Sequence, residues 1–66
     1  NAKLIRRTVM LTMHATGADE ATARATLEAC EHHAKVAIVA LLGATDVAEA
    51  RRRLDAADGS VRGALG

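Results

Sequence analysis

Cys30, Glu31, His32 and His33 are consecutive, and each is a residue type that can bind a metal or move a proton. Zinc needs ligands that converge tetrahedrally, and these normally come from spaced positions or from several elements. Four neighbours in sequence cannot close around one ion, and His14 is a whole helix away. A Cys–His nucleophile needs a third group to orient the base, and none accompanies this pair. The cluster therefore reads as a turn with polar histidines and one core thiol, and no metal or cofactor is expected. Arg51, Arg52 and Arg53 form the densest basic run. On a helix such neighbours fan out by about 100° each, so they do not make one phosphate-binding patch. Glu49 with Arg53 and Arg51 with Asp55 are spaced as i, i+4 ion pairs, the pattern of a solvated helix face.

The elements that carry these residues follow from an internal repeat. Asp19, Ala21, Ala23, Arg24, Leu27 and Ala29 recur 27 residues later as Asp46, Ala48, Ala50, Arg51, Leu54 and Ala56. Lys35, Ala37 and Ile38 recur as Arg62, Ala64 and Leu65. A period of that length holds one helix–turn–helix unit. With no proline in the chain, Gly17, Gly43 and Gly59 are the expected helix stops, since glycine accepts the left-handed conformation that closes a helix.

A first helix is expected over residues 3–15, with Ile5, Val9 and Met13 as its inner stripe and Leu4 and Leu11 beside it. Asp19 should cap a second helix through residue 30 that buries Ala23, Leu27 and Cys30. Residues 33–42 make a third helix, apolar nearly all round, and so either central to the core or docked on a partner. Asp46 or its rival Thr45 caps a fourth helix to about residue 57, burying Val47, Ala50 and Leu54. Ser60 caps a last short one whose Val61, Ala64 and Leu65 fold back on it. The fold class is all-α: a small five-helix bundle made from an N-terminal helix plus two helix–turn–helix repeats.

Composition limits the function classes. Sixty-six residues allow one domain, and with no aromatic residue its core rests on Leu, Ile, Val and Met spaced by Ala. A formal net charge of +1 argues against a strongly basic nucleic-acid or membrane binder. The apolar third helix lacks the Arg, Asn and Gln residues with which a recognition helix reads bases. One cysteine cannot form an internal disulfide, which suits a reducing cytoplasm. No secretory signal pattern is present, and the apolar run at residues 36–42 is too short to span a bilayer. The chain begins at Asn1 and enters a helical pattern at once, so it is expected to be a C-terminal domain excised from something larger.

Asn1-Ala2-Lys3-Leu4, Val9-Met10, Ala15-Thr16-Gly17, Lys35-Val36-Ala37-Ile38, Leu41-Leu42-Gly43, Ala48-Glu49-Ala50, Gly59 and Val61-Arg62 fall in a familiar order. Over nearly the entire chain they resemble the C-terminal helical region of bacterial N-acetylmuramic acid 6-phosphate etherases, which belong to the sugar isomerase (SIS) domain family related to glucokinase regulatory protein. Residues 1–43 also resemble a ubiquitin-associated (UBA-like) three-helix unit, with residues 44–66 as a helical cap. The resemblance implies a parent carbon–oxygen lyase that cleaves the lactyl ether of its substrate during cell-wall recycling, giving N-acetylglucosamine 6-phosphate and D-lactate. The family's acid–base glutamates lie in the upstream SIS domain, so no catalytic residue transfers to this chain. Lys3, in the Asn-x-Lys-Leu motif, is the one implied substrate-binding residue, a point charge for phosphate or a sugar oxygen. Where the family has a glycine before Val-Lys, this chain runs Glu31-His32-His33-Ala34-Lys35, which puts the geometry of that turn in question.

The reading that results is a non-catalytic accessory domain, covering or buttressing a sugar-phosphate site or assisting dimerisation in a cytoplasmic enzyme. Its expected partners are its own upstream SIS domain, a second copy in a homodimer, and sugar phosphate reached through the parent protein. Nucleic acid and membrane are not among them. The alternative is a free-standing UBA-like module that takes a helix or ubiquitin-like partner in a groove.

Overall fold

The computed structural model describes residues 2–66, and those residues form five helices with no strand among them. α1 spans Ala2–Thr16, α2 Glu20–Ala29, α3 Ala34–Leu42, α4 Val47–Ala56 and α5 Val61–Leu65. The expected architecture holds, with helix ends displaced by no more than one residue.

The caps explain where the helices start. Asp19 and Asp46 both sit in extended backbone and accept a hydrogen bond, 2.8 Å long, from the backbone N–H three residues on, at Thr22 and Glu49. Asp46 therefore wins over Thr45. Only half of a capping box forms, because the Glu49 side chain turns to Arg52 and Arg53 instead of reaching back. Ser60 Oγ accepts from the Gly63 N–H at 3.1 Å and starts α5.

The repeat is reproduced bond for bond in the backbone. After α2, the N–H of His32 reaches the Leu27 carbonyl at 2.7 Å and that of Glu31 reaches Glu28. After α4, Gly59 reaches Leu54 at 2.9 Å and Asp58 reaches Asp55. Each is a Schellman closure, in which the end of the helix is satisfied by its own following turn. Both closures use two successive left-handed residues: Glu31 and His32 at φ 54° and 63°, Asp58 and Gly59 at φ 58° and 82°. The turn that lacks the family's glycine thus keeps the same geometry, with His32 in the strained place.

Two expectations about glycine divide. Gly17 and Gly59 take positive φ, but Gly43 stays right-handed at φ −84° and Ala44 takes the left-handed position at φ 51°. Gly43 serves close approach instead. A Cβ there would stand 2.8 Å from the Val39 carbonyl oxygen and 3.2 Å from the Arg53 guanidinium.

The core comprises Val9, Ala23, Leu27, Cys30, Val36, Ala37, Val39, Ala40 and Ala50, with Ile5, Met13, Val47, Leu54, Val61 and Ala64 packed against it half-buried. α3 lies at its centre, touched by all four other helices. That resolves the choice posed by its all-round apolarity in favour of the core. Thr12 is buried too, its hydroxyl donating to the Thr8 carbonyl one turn back at 2.8 Å, so no polar side-chain atom is stranded among the described residues.

The two copies differ in burial although they agree in backbone. Leu27, Cys30 and Ala37 are buried, while their counterparts Leu54, Ala57 and Ala64 are only half-buried. The first copy is covered by α1 on one side and by the second copy on the other. The second copy packs mainly on α3 and on itself.

Candidate functional site

The chemistry-bearing residues lie where the turns put them, and they do not converge. Cys30 closes α2 with its side chain fully buried, whereas Glu31, His32 and His33 are exposed on the following turn. His14 is exposed near the end of α1. Among the described residues no three His, Cys, Asp or Glu side chains are grouped so as to hold a metal ion. Burial pushes the Cys30 thiol above its ordinary pKa, with the Arg51 charge opposing. A buried thiol in that state is protonated and unreactive at neutral pH.

The arginine run fans out as its helical spacing requires. Arg53 Nε meets Glu49 Oε2 at 3.0 Å, which is the expected i, i+4 pair, and Arg52 also bonds Glu49. Hydrogen bonds from Arg52 and then Arg53 hold the Glu49 carboxyl below the usual carboxylate range. Arg51 behaves otherwise than expected: its partner is Glu31 at 3.2 Å, not Asp55. The left-handed turn carries Glu31 over the side of α4, where Arg51 meets it. A second tie runs between the copies, from Lys35 Nζ at the start of α3 to the Gly59 carbonyl at 3.3 Å. Each copy's turn is thus held by a basic side chain of the other. These ties are solvent-exposed, so they align the copies more than they stabilise them.

Lys3 lies exposed in the first turn of α1, a turn that contains no acidic residue. An open cleft of about 400 Å³ separates α1 from the start of α2, lined by Ile5, Arg6, Glu20 and Arg24, with Lys3 not among its lining residues. The Arg24–Glu20 pair, 2.8 Å long, closes its α2 side. Sequence reasoning singled out Lys3 only through the family resemblance, and it did not foresee this cleft, because nothing in the spacing sets the gap between two helices.

What α1 presents outward also departs from expectation. Leu4 and Leu11, placed beside the inner stripe, are exposed together with Met10. Ile5, Val9 and Met13 do face inward. Leu4 and Leu11 are seven residues apart, two turns of helix, so they share one line on the face opposite Val9. Only one side of α1 is covered, by α2 and α3.

No helix among the described residues is long and apolar enough to cross a membrane. No family model matches the chain, and no solved structure does. Curated relatives match it closely. It is 54% identical over 66 residues to N-acetylmuramic acid 6-phosphate etherase of Rubrobacter xylanophilus, covering 100% of this chain and 21% of that protein. The etherase of Salinibacter ruber is 48% identical over 63 residues, 96% of this chain and 20% of its own length. That of Klebsiella aerogenes is 48% identical over 65 residues, or 98% and 22%. The chain therefore spans about a fifth of the curated relatives it matches. Over essentially its whole length, this chain is homologous to one segment of the N-acetylmuramic acid 6-phosphate etherases.

Proposed function

We propose that the chain is the C-terminal helical domain of an N-acetylmuramic acid 6-phosphate etherase and serves that enzyme without supplying its acid–base groups. The observation that carries this reading is the match of the whole chain to a fifth of proteins bearing that name. The dispersal of Cys30 and the three histidines supports the non-catalytic half, since a general base must stand within hydrogen-bond reach of what it activates. The parent enzyme is a carbon–oxygen lyase acting on a sugar phosphate in the cytoplasm. Its SIS domain lies upstream, carries the reacting groups and is the partner on which these five helices rest, in a homodimer.

Within that assembly Lys3 contributes a positive charge to the substrate's phosphate or a sugar oxygen. Its exposure in the first turn of α1 suits this role. The experiment is to follow D-lactate release from N-acetylmuramic acid 6-phosphate by the full-length protein and by its Lys3→Ala variant. The full-length protein should release lactate. A hydrogen bond to a charged group contributes about 1.5–3 kcal/mol, so Lys3→Ala should raise KM roughly 10- to 100-fold. An unchanged KM removes Lys3 from the site, and a full-length protein that releases no lactate removes the etherase reading.

A further inference from the structure

α1 carries an apolar line that nothing in the fold covers. Leu4 and Leu11 are each 59% exposed and Met10 is 48% exposed, in a molecule whose other helices spend most of their large apolar residues on the core. The same outward side carries Lys3, Arg7 and His14, and α1 has no Asp or Glu anywhere along it. We propose that this outward face of α1 is the surface by which the helical domain docks on the rest of its own enzyme, against an apolar patch rimmed by carboxylates. This rests on the etherase reading above and names the surface through which it operates.

Two observations select that occupant. The first is charge. A second copy would bring one basic, carboxylate-free face against another, and like charges across an interface oppose association. An acidic rim would instead pair with Arg7 while Leu4, Met10 and Leu11 are covered. The second is length. About four-fifths of each etherase relative lies outside the matched segment, which is ample surface for this face. The other exposed apolar pair, Leu42 and Leu65, is a weaker candidate. Leu65 already folds back towards Gly43 at the end of α3, and at 47% and 39% the two residues are less exposed.

Hydroxyl-radical footprinting of the full-length protein tests this with no substitution. Oxidation would be read by mass spectrometry at Leu4, Met10, Leu11, Leu42 and Leu65, with half-buried Met13 as the internal reference. The expected result is that Met10 oxidises no faster than Met13, and that Leu4 and Leu11 are at least fivefold slower than Leu42. If Leu42 and Leu65 are protected and the α1 residues react freely, the domain docks by another face. That outcome overturns this proposal and leaves the accessory reading standing. If all five react freely, both fail. A Leu11→Cys variant that forms a disulfide between two copies of the full-length protein would show a second copy on this face, and would overturn the choice of occupant.

Discussion

His32 carries a cost that its counterpart Gly59 avoids. Both occupy the second left-handed position of a Schellman turn, at φ 63° and 82°. For a residue with a Cβ that conformation costs roughly 1–2 kcal/mol, while glycine adopts it freely. Replacing His32 by Gly should therefore stabilise the fold by about 1 kcal/mol, the gain being trimmed by the extra freedom glycine has when unfolded. Urea unfolding followed by circular dichroism would read this as a higher midpoint at unchanged slope. A lower midpoint would mean that the exposed imidazole makes a stabilising contact. The missing glycine left this turn's geometry in question in the sequence, although Gly59 stands 27 residues on. The Arg51–Glu31 pair was not legible, because i, i+4 spacing on one helix points to Asp55. Only the path of the turn decides between those two carboxylates.

Acid titration also acts on single residues. Hydrogen bonds from Thr22, first its side chain and then its backbone N–H, lower the pKa of the Asp19 carboxyl, and Arg52 and Arg53 lower that of Glu49. In the unfolded chain both return to the ordinary range of about 4. A group whose pKa is lowered by folding binds fewer protons in the native state. Its contribution is complete above the unfolded pKa and disappears as pH falls through the folded one. The melting temperature should accordingly stay level from pH 8 to about pH 5 and decline below about pH 4. The double variant Asp19→Asn, Glu49→Gln should flatten that decline. Melting that is indifferent to acid in the wild type would contradict the assignment.

At the scale of elements, the two copies share a backbone but not a burden. Leu27 is fully buried on a helix packed against both α1 and α3, whereas Leu54, on a helix packed against α3 and α5, is half-buried. A fully buried Leu→Ala change costs about 2–5 kcal/mol, and the cost scales with the cavity left behind. Leu27→Ala should fall in that range and Leu54→Ala at roughly half of it, as measured by denaturant unfolding. Equal losses would mean that the second copy is an equal partner instead of a cap. Helix existence, type and inner faces were all readable from the sequence, because apolar spacing, Asp and Ser caps and the repeat agree. The inner stripe of α1, Ile5, Val9 and Met13, was among them, and packing covers it. Less readable was how far Leu4 and Leu11, beside that stripe, would be left exposed. Gly43 shows the same limit in a different way. Its type suggested a left-handed stop, but it stays right-handed at the end of its own helix, where a Cβ would crowd the Val39 carbonyl and, from α4, the Arg53 guanidinium.

For the molecule as a whole, the fold contains no set of converging reactive groups among its described residues, and its longest helix turns an apolar, basic face to solvent. Both features fit a part that acts through a larger body. The family was legible in the order and spacing of short motifs, each weak alone, and the relatives bear it out over the whole chain. Of a site, the sequence singled out only Lys3, and that through the resemblance alone, because the Cys30–His33 run and the arginine run offer no converging groups among the described residues. The central claim is that this domain is needed by an etherase but is not itself one. The most direct measurement compares D-lactate release from N-acetylmuramic acid 6-phosphate by three proteins: the full-length enzyme, the enzyme truncated immediately before Asn1, and the 66-residue chain alone. The account predicts turnover by the first, at least a hundredfold less by the second, and none by the third. Full activity in the truncated enzyme, or any turnover by the isolated chain, would contradict it.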